Sequence, residues 1–189
     1  MKKTQIKTIN EAVQALIQGN KNYVNAQKTG NISQELNPLS AEDGQQPYAV
    51  IVTCSDSRVP SEYIFSAGAG ELFVIRTAGH VIGNFELGSI EYGVKYLGAK
   101  VVFVLGHNHC GAVKAAMGSH GKGYVQKILD EIIPVITGED DVERCEKLNI
   151  ENSIRRIMES EMISEYVDEG RVKVISGKYD IENGMVEFF

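Results

Sequence analysis

Two short apolar runs, at residues 48–53 and 101–106, constrain the fold of this chain more than any other feature. Each run is almost continuously hydrophobic, which is typical of a parallel strand that is buried on both faces. Each also ends just before side chains that can bind a metal: Cys54 follows the first run, and His107 and Cys110 follow the second. Because the carboxyl ends of parallel strands form one crevice, we expect these three side chains to lie close together.

Further strands and helices alternate along the chain. Residues 72–76 and 171–177 predict strands, and residues 85–97 predict a helix whose apolar positions follow helical spacing. Asn183 and Gly184 predict a hairpin near the end. This alternation favours an α/β fold, with a mostly parallel central sheet of four to five strands covered by helices.

The N-terminal part of the chain carries one helical pattern. A helix with an apolar face is predicted over residues 9–24, with Asn10 as its N-cap. A stretch rich in Gly, Asn, Ser, Gln and Pro follows and predicts a crossing over the surface. We therefore expect a single domain over residues 1–189, with a helical arm and crossing at 1–44 and an α/β core at 45–189.

Several more helices are predicted beside the strands. Pro60 fits the first turn of a short helix, and residues 111–118 predict a helix that opens on Gly111. Residues 122–169 are mostly of helical pattern, with breaks expected near Pro134 and Gly138.

Composition excludes several classes of partner. The formal net charge of −6 is accompanied by no basic stripe, which argues against nucleic acid or an anionic membrane surface as a partner. The first residues lack the apolar core of a signal peptide, so we expect a cytoplasmic protein. Three cysteines are too few and too oddly numbered for a disulfide framework, which favours metal binding by Cys54 and Cys110.

The candidate ligands and their neighbours indicate zinc chemistry. Two thiolates and one imidazole suit Zn²⁺, and three protein ligands with one open position are typical of a catalytic site, so we expect one zinc ion per chain. Asp56 lies two residues after Cys54, on the same side of an extended chain. Arg58, two residues further, can hold that carboxylate through two hydrogen bonds.

Two motifs at the strand ends identify a family resemblance: C-S-D-S-R at residues 54–58 and G-H-x-x-C-G at residues 106–111. Together they resemble the β-class carbonic anhydrases, in the plant-like branch, most strongly over residues 45–118. The resemblance implies a carbonate dehydratase, a lyase that reversibly hydrates CO₂ to bicarbonate and a proton by attack of zinc-bound hydroxide. It implies zinc ligands and a catalytic dyad as follows: Cys54, His107 and Cys110 bind the metal, and Asp56 and Arg58 form the dyad.

The resemblance also implies a substrate pocket. Gln45, Phe73 and Tyr92 match the pocket residues of the plant-like branch. We expect Val59 to extend the dry wall of this pocket, and Gly111 to line it beside Cys110.

The resemblance implies an assembly as well. The family unit is a homodimer in which pocket residues are donated across the interface, sometimes paired into a homotetramer. An allosteric bicarbonate site of another branch needs a tryptophan where this chain has Ile51, so that regulation is not expected here.

Three alternatives remain open from the residues alone. The same scaffold could hydrolyse carbonyl sulfide or carbon disulfide, which are linear isosteres of CO₂. A thiol enzyme would use Cys54 as nucleophile and Arg58 to bind an anion, and a non-enzymatic zinc module would supply a fourth protein ligand. We assign no catalytic role to His80 or His109.

Overall fold

The computed structural model describes residues 6–30, 44–118 and 121–189, which form a five-stranded sheet with helices on both faces. The strands are β1 Ala49–Cys54, β2 Leu72–Thr77, β3 Val101–His107, β4 Lys173–Tyr179 and β5 Val186–Phe188. Their spatial order is β2-β1-β3-β4-β5. The first four strands are parallel, and β5 pairs antiparallel with β4 through the predicted hairpin. The predicted α/β fold with a mostly parallel sheet is confirmed.

Seven helices and one 3-10 turn are described around this sheet. The helices are α1 Ile9–Thr29, α2 Ser61–Ile64, α3 Asn84–Lys95, α4 Gly111–Met117, α5 Tyr124–Ile136, α6 Val142–Met158 and α7 Glu161–Asp168. The 3-10 turn, Ala78–His80, follows β2 directly. Among these helices, none combines the length and apolarity that crossing a membrane requires.

Strands β1 and β3 form the centre of the core, and every residue in both is buried. On one face of the sheet, Ile51 and Phe103 pack with Leu16 of α1. On the other face, alternate residues of the strands pack against α3, α6 and α7. Burying each large apolar side chain contributes about 1.5–3 kcal/mol, so burial on both faces explains why the two runs are continuously hydrophobic.

The N-cap of helix α1 lies two residues before the predicted one. The N-cap is Thr8 rather than Asn10, which lies inside the first turn. The Thr8 hydroxyl accepts a hydrogen bond from the N–H of Glu11 at 3.2 Å, and the Glu11 carboxylate accepts one from the N–H of Thr8 at 2.9 Å. This reciprocal pair satisfies two N–H groups at the start of the helix, which a cap at Asn10 would leave unpaired.

Two of the expected helix boundaries also differ. Pro134 does not break α5 but lies inside it, near its C-terminal end, where a missing N–H costs the helix only one hydrogen bond. The break near Gly138 is present, with a φ of 84° at that residue. Pro60 is the N-cap of α2 rather than its first helical residue.

Candidate metal centre

The three candidate ligands come together at the carboxyl end of the sheet. Cys54 is the last residue of β1, His107 is the last residue of β3, and Cys110 is the N-cap of α4. Because β1 and β3 are neighbouring parallel strands, their ends lie side by side. The two sulfurs and the imidazole nitrogen all lie within 4.8 Å of one another. In the described part of the chain, no fourth His, Cys, Asp or Glu joins this group.

The ring of His107 is oriented as a metal ligand. Its Nδ1 lies 2.8 Å from the carbonyl oxygen of Asn108, which can only accept, so Nδ1 carries the proton. The other ring nitrogen, Nε2, therefore has a free lone pair. It is buried and finds no hydrogen-bond partner among the described residues. A buried polar atom without a partner is unfavourable, and a cation bound there would satisfy it.

The side chains of Cys54 and Cys110 affect each other's protonation. Their hydrogen-bonding contact lowers the pKa of Cys54 below its ordinary value. The same contact, together with burial, raises the pKa of Cys110. Because metal ligands must be deprotonated, a cation held by both sulfurs would displace any proton they carry.

A backbone donor also reaches the sulfur of Cys54. The N–H of Gly79 lies 3.3 Å from this sulfur, in the turn that follows β2. Gly79 has a φ of 65°, and a Cβ built on it would lie 2.9 Å from the Cβ of Ala112 and from Ile132. Only glycine therefore fits at this position without displacing its neighbours.

Asp56 and Arg58 form a bidentate pair beside the ligands. The Nε of Arg58 donates to Oδ1 of Asp56 at 2.9 Å, and a terminal nitrogen donates to Oδ2 at 2.7 Å. The hydrogen bond from Arg58 holds the pKa of the Asp56 carboxyl well below its usual range. Asp56 is therefore ionised at neutral pH, and it is oriented by Arg58 rather than by the ligand group.

Arg76 was not assigned a role from the sequence, yet it holds the loop that carries Cys54 and Asp56. Its Nε donates to the carbonyl oxygen of Cys54 at 3.1 Å, and its terminal nitrogen donates to that of Asp56 at 2.6 Å. The position of Arg76 in the sequence could have indicated this contact. Arg76 lies near the end of β2, which pairs with β1, so it stands opposite Thr53.

Three of the predicted pocket residues do not reach the metal centre of their own chain. Phe73 pairs with Val50 in the β1–β2 register, four residues before the strand end, or roughly 13 Å at 3.3 Å per residue. The ring of Tyr92 lies 6.1 Å from that of Phe73. Gln45 precedes β1 and is exposed, at the end of the sheet opposite to Cys54.

The other residues singled out from the sequence differ in how far they are buried. Val59 is completely buried in the apolar cluster beneath α1, and its place in the pocket wall stays a prediction. Gly111 is exposed and directly follows Cys110. His80 is buried, whereas His109 is exposed, with its Nε2 3.6 Å from a carboxylate oxygen of Glu182.

Comparison with known proteins places these features in a family. The family model described as carbonic anhydrase matches residues 49–186. Carbonic anhydrase 2 of Mycobacterium tuberculosis is 38% identical, over 92% of this chain and 89% of that protein. Carbonic anhydrase of Mycolicibacterium smegmatis is 35% identical, over 93% of this chain and 91% of that protein.

Solved structures show the same architecture. The β-carbonic anhydrase CafA of Aspergillus fumigatus superposes with a TM-score of 0.73, covering 94% of this chain and 90% of that one; at 24% identity, this likeness concerns the fold. A structure from a study of two tetrameric β-carbonic anhydrases of Sordaria macrospora is 26% identical and has a TM-score of 0.71, covering 95% of this chain and 97% of that one. With the matched family model and the two mycobacterial relatives, these results show that the chain belongs to the β-class carbonic anhydrase family.

Proposed function

We propose that this chain reversibly hydrates CO₂ to bicarbonate and a proton, with one zinc ion bound by Cys54, His107 and Cys110. The observation that carries the proposal is the buried, unpartnered Nε2 of His107, which lies within 4.8 Å of both cysteine sulfurs. The relatives named carbonic anhydrase, at 38% and 35% identity, support the reaction.

The donor set fits zinc in particular. Thiolate sulfur and imidazole nitrogen are ligands that zinc prefers. A purely structural zinc module usually has four protein ligands, whereas the described residues supply three, which favours an enzyme. When bound, zinc would lower the pKa of a water molecule so that it can attack the carbon of CO₂ near neutral pH.

Asp56 is the residue that would orient the attacking water. Its Oδ1 accepts two hydrogen bonds, from the backbone N–H and the Nε of Arg58, whereas its Oδ2 accepts one. A carboxylate oxygen can accept two, so Oδ2 retains an acceptor position. The hydrogen bond from water to this oxygen would fix the direction in which the lone pair of the nucleophile points, and Arg58 would hold the carboxylate still.

A second copy of the chain would complete the substrate pocket. Gln45, Phe73 and Tyr92 lie away from their own metal centre, so they can line only the centre of another subunit. Tyr92 is 46% exposed, and its ring stacks 5.4 Å from that of Tyr96, which is 68% exposed. These exposed aromatic side chains support a homodimer, or a homotetramer built from it. In the partner's pocket, the amide of Gln45 would donate to an oxygen of CO₂ or bicarbonate.

Metal analysis and stopped-flow CO₂ hydration on one sample test this function. We expect about one zinc per chain, with hydration lost on chelation and restored by added zinc. Cys54→Ser and Cys110→Ser should lose both zinc and activity. Cys145→Ser is the matched control, because Cys145 is buried outside the ligand group. A metal-free sample that hydrates CO₂ at full rate, or a zinc-loaded one that does not, would overturn the proposal.

A further inference from the structure

Helix α6 carries a stripe of buried polar side chains, Glu146, Asn149 and Ser153, which we call the polar stripe. Their spacing of three and four residues places them on one face of the helix. They are 3%, 1% and 3% exposed. Burying a polar group costs free energy unless it is hydrogen-bonded, so the partners of these side chains indicate what the stripe does.

Glu146 holds the backbone of one sulfur ligand. Its Oε1 accepts a hydrogen bond from the N–H of Cys110 at 3.3 Å. Its Oε2 lies 2.7 Å from Nζ of Lys178 on β4, so the buried carboxylate is paired with a cation. The backbone of Cys110 is thereby tied to both α6 and the sheet.

Asn149 and Ser153 hold the turn beside the other sulfur ligand. The Nδ2 of Asn149 donates to the carbonyl oxygen of Gly79 at 2.9 Å. The hydroxyl of Ser153 donates to the carbonyl oxygen of His80 at 3.1 Å, and its oxygen lies 2.9 Å from Nδ1 of His80. Because the hydroxyl has only one proton to give, Nδ1 must be the donor of the second bond. These three bonds fix the turn that presents the N–H of Gly79 to the sulfur of Cys54.

Helix α6 also packs directly against β3, the strand that ends in His107. A Cβ built on Gly106 would lie 2.4 Å from Cδ1 of Ile150, which belongs to α6 between the members of the polar stripe. So close an approach leaves no room for the helix to shift towards the strand without a clash. Helix α6 thus contacts the segments that carry Cys110 and His107, and the turn whose N–H reaches the sulfur of Cys54.

We propose that Glu146, Asn149 and Ser153 are positioning residues that fix the two sulfur ligands relative to each other for metal binding. The inference rests on the proposed zinc site, but it concerns a helix to which no role in that site has been assigned. Outer partners of metal ligands orient the ligands, and their loss typically costs about 10- to 100-fold in metal affinity or activity.

The test compares two asparagines on the same helix. Asn149→Ala removes the bond to Gly79, whereas Asn152→Ala removes a bond from Nδ2 to the carbonyl oxygen of Glu131 on α5, away from the ligands. We expect Asn149→Ala to weaken zinc affinity about 10- to 100-fold in chelator competition. It should also shift the thiolate-to-metal absorption of the cobalt-substituted protein. Asn152→Ala should leave both measurements unchanged.

The cobalt spectrum separates positioning from general stability, because a variant that is only less stable would still hold the metal in the same geometry when folded. Should Asn149→Ala fail to fold, as judged by circular dichroism, Ser153→Ala decides the matter, since it removes a single oxygen from the turn. Folded variants with unaltered zinc affinity and cobalt spectrum would overturn the inference while leaving the proposed function intact. If the unsubstituted protein binds no zinc, the proposed function and this inference both fall.

Discussion

The guanidinium of Arg58 holds both oxygens of the Asp56 carboxylate, with Nε 2.9 Å from Oδ1 and a terminal nitrogen 2.7 Å from Oδ2. Such bidentate pairs between ions are among the stronger hydrogen-bonded contacts in proteins. The pair fixes Asp56 two residues beyond Cys54 and leaves one acceptor position on Oδ2 for a water molecule. Its contribution is therefore expected in catalysis and not in metal binding.

Asp56→Asn tests whether Asp56 contributes to catalysis and not to metal binding. The substitution nearly preserves shape but removes the charge, so the side chain can no longer accept from the nucleophile and pair with Arg58 at once. We expect full zinc content and a loss of about 100-fold or more in kcat/KM, as for other groups that handle protons in a reaction. Stopped-flow hydration and metal analysis on the same preparation measure the two effects. Turnover equal to that of the unsubstituted protein would remove Asp56 from the mechanism.

Arg58→Lys tests whether Asp56 needs the two hydrogen bonds of the guanidinium in addition to its positive charge. A lysine ammonium is a point charge that cannot hold both carboxylate oxygens in a planar pair. The pKa of Asp56, which Arg58 holds below its usual range, should rise towards the ordinary value. A higher pKa means that the carboxylate takes up its proton at a higher pH, so the titration of Asp56 itself should move upwards.

NMR of the Asp56 carboxyl carbon across acid pH measures this shift. Arg155→Lys is the control, because Arg155 pairs with Glu159 on the exposed side of α6. In that variant the titration of Asp56 should match that of the unsubstituted protein. An Asp56 titration that stays in place in Arg58→Lys would show that a single charge suffices.

The distance between Gln45 and its own metal centre leads to a complementation experiment. Asp56→Asn and Gln45→Ala should each lower activity in homodimers. In a heterodimer that carries one substitution on each chain, one site would contain both defects and the other neither, if Gln45 acts across the interface. We expect about half of the unsubstituted activity, because a symmetric dimer has two equivalent sites.

Co-expression with two affinity tags isolates this heterodimer for the hydration assay. If Gln45 served its own chain, each site would contain one defect and activity would not recover. Absence of recovery, or a protein that stays monomeric, would therefore contradict the shared pocket. The two homodimers, purified in the same way, are the controls.

The sheet and the grouping of Cys54, His107 and Cys110 were predictable because they depend on strong local patterns. The residues of β1 and β3 are buried on both faces, which makes them continuously apolar, and Cys54 and His107 follow at once. Helix ends were less predictable. Thr8 and Glu11 form the capping box of α1, yet the apolar spacing alone pointed to Asn10.

The buried polar residues around the candidate metal centre could not be predicted from the sequence pattern. Glu146, Asn149 and Ser153 are polar residues on an amphipathic helix, and in a sequence they cannot be distinguished from a solvated face. Their burial comes from the packing of α6 against β3, β4, α4 and the turn after β2. The pattern is ambiguous at Val59 too, since an apolar residue beside a motif fits a pocket wall as well as the core in which Val59 is buried.

His80 provides a prediction about stability. It is buried in the turn after β2, and burial lowers its pKa from 6.5 to about 4. Between these values the unfolded chain binds a proton that the folded protein does not. Stability should therefore be complete above pH 6.5 and fall as the pH drops towards 4, by about 3 kcal/mol at most, at 1.36 kcal/mol per pKa unit.

His80→Gln removes this titration while keeping an amide that can hydrogen-bond to Ser153. We expect its free energy of unfolding to fall less steeply between pH 6.5 and pH 4 than that of the unsubstituted protein. Urea unfolding of metal-stripped samples at several pH values measures the slopes, so that acid release of a metal does not enter the curves. His109→Gln is the matched control for the chemical change, because His109 is exposed. Equal slopes for His80→Gln and the unsubstituted protein would mean that His80 takes up its proton as readily in the folded protein as in the unfolded chain.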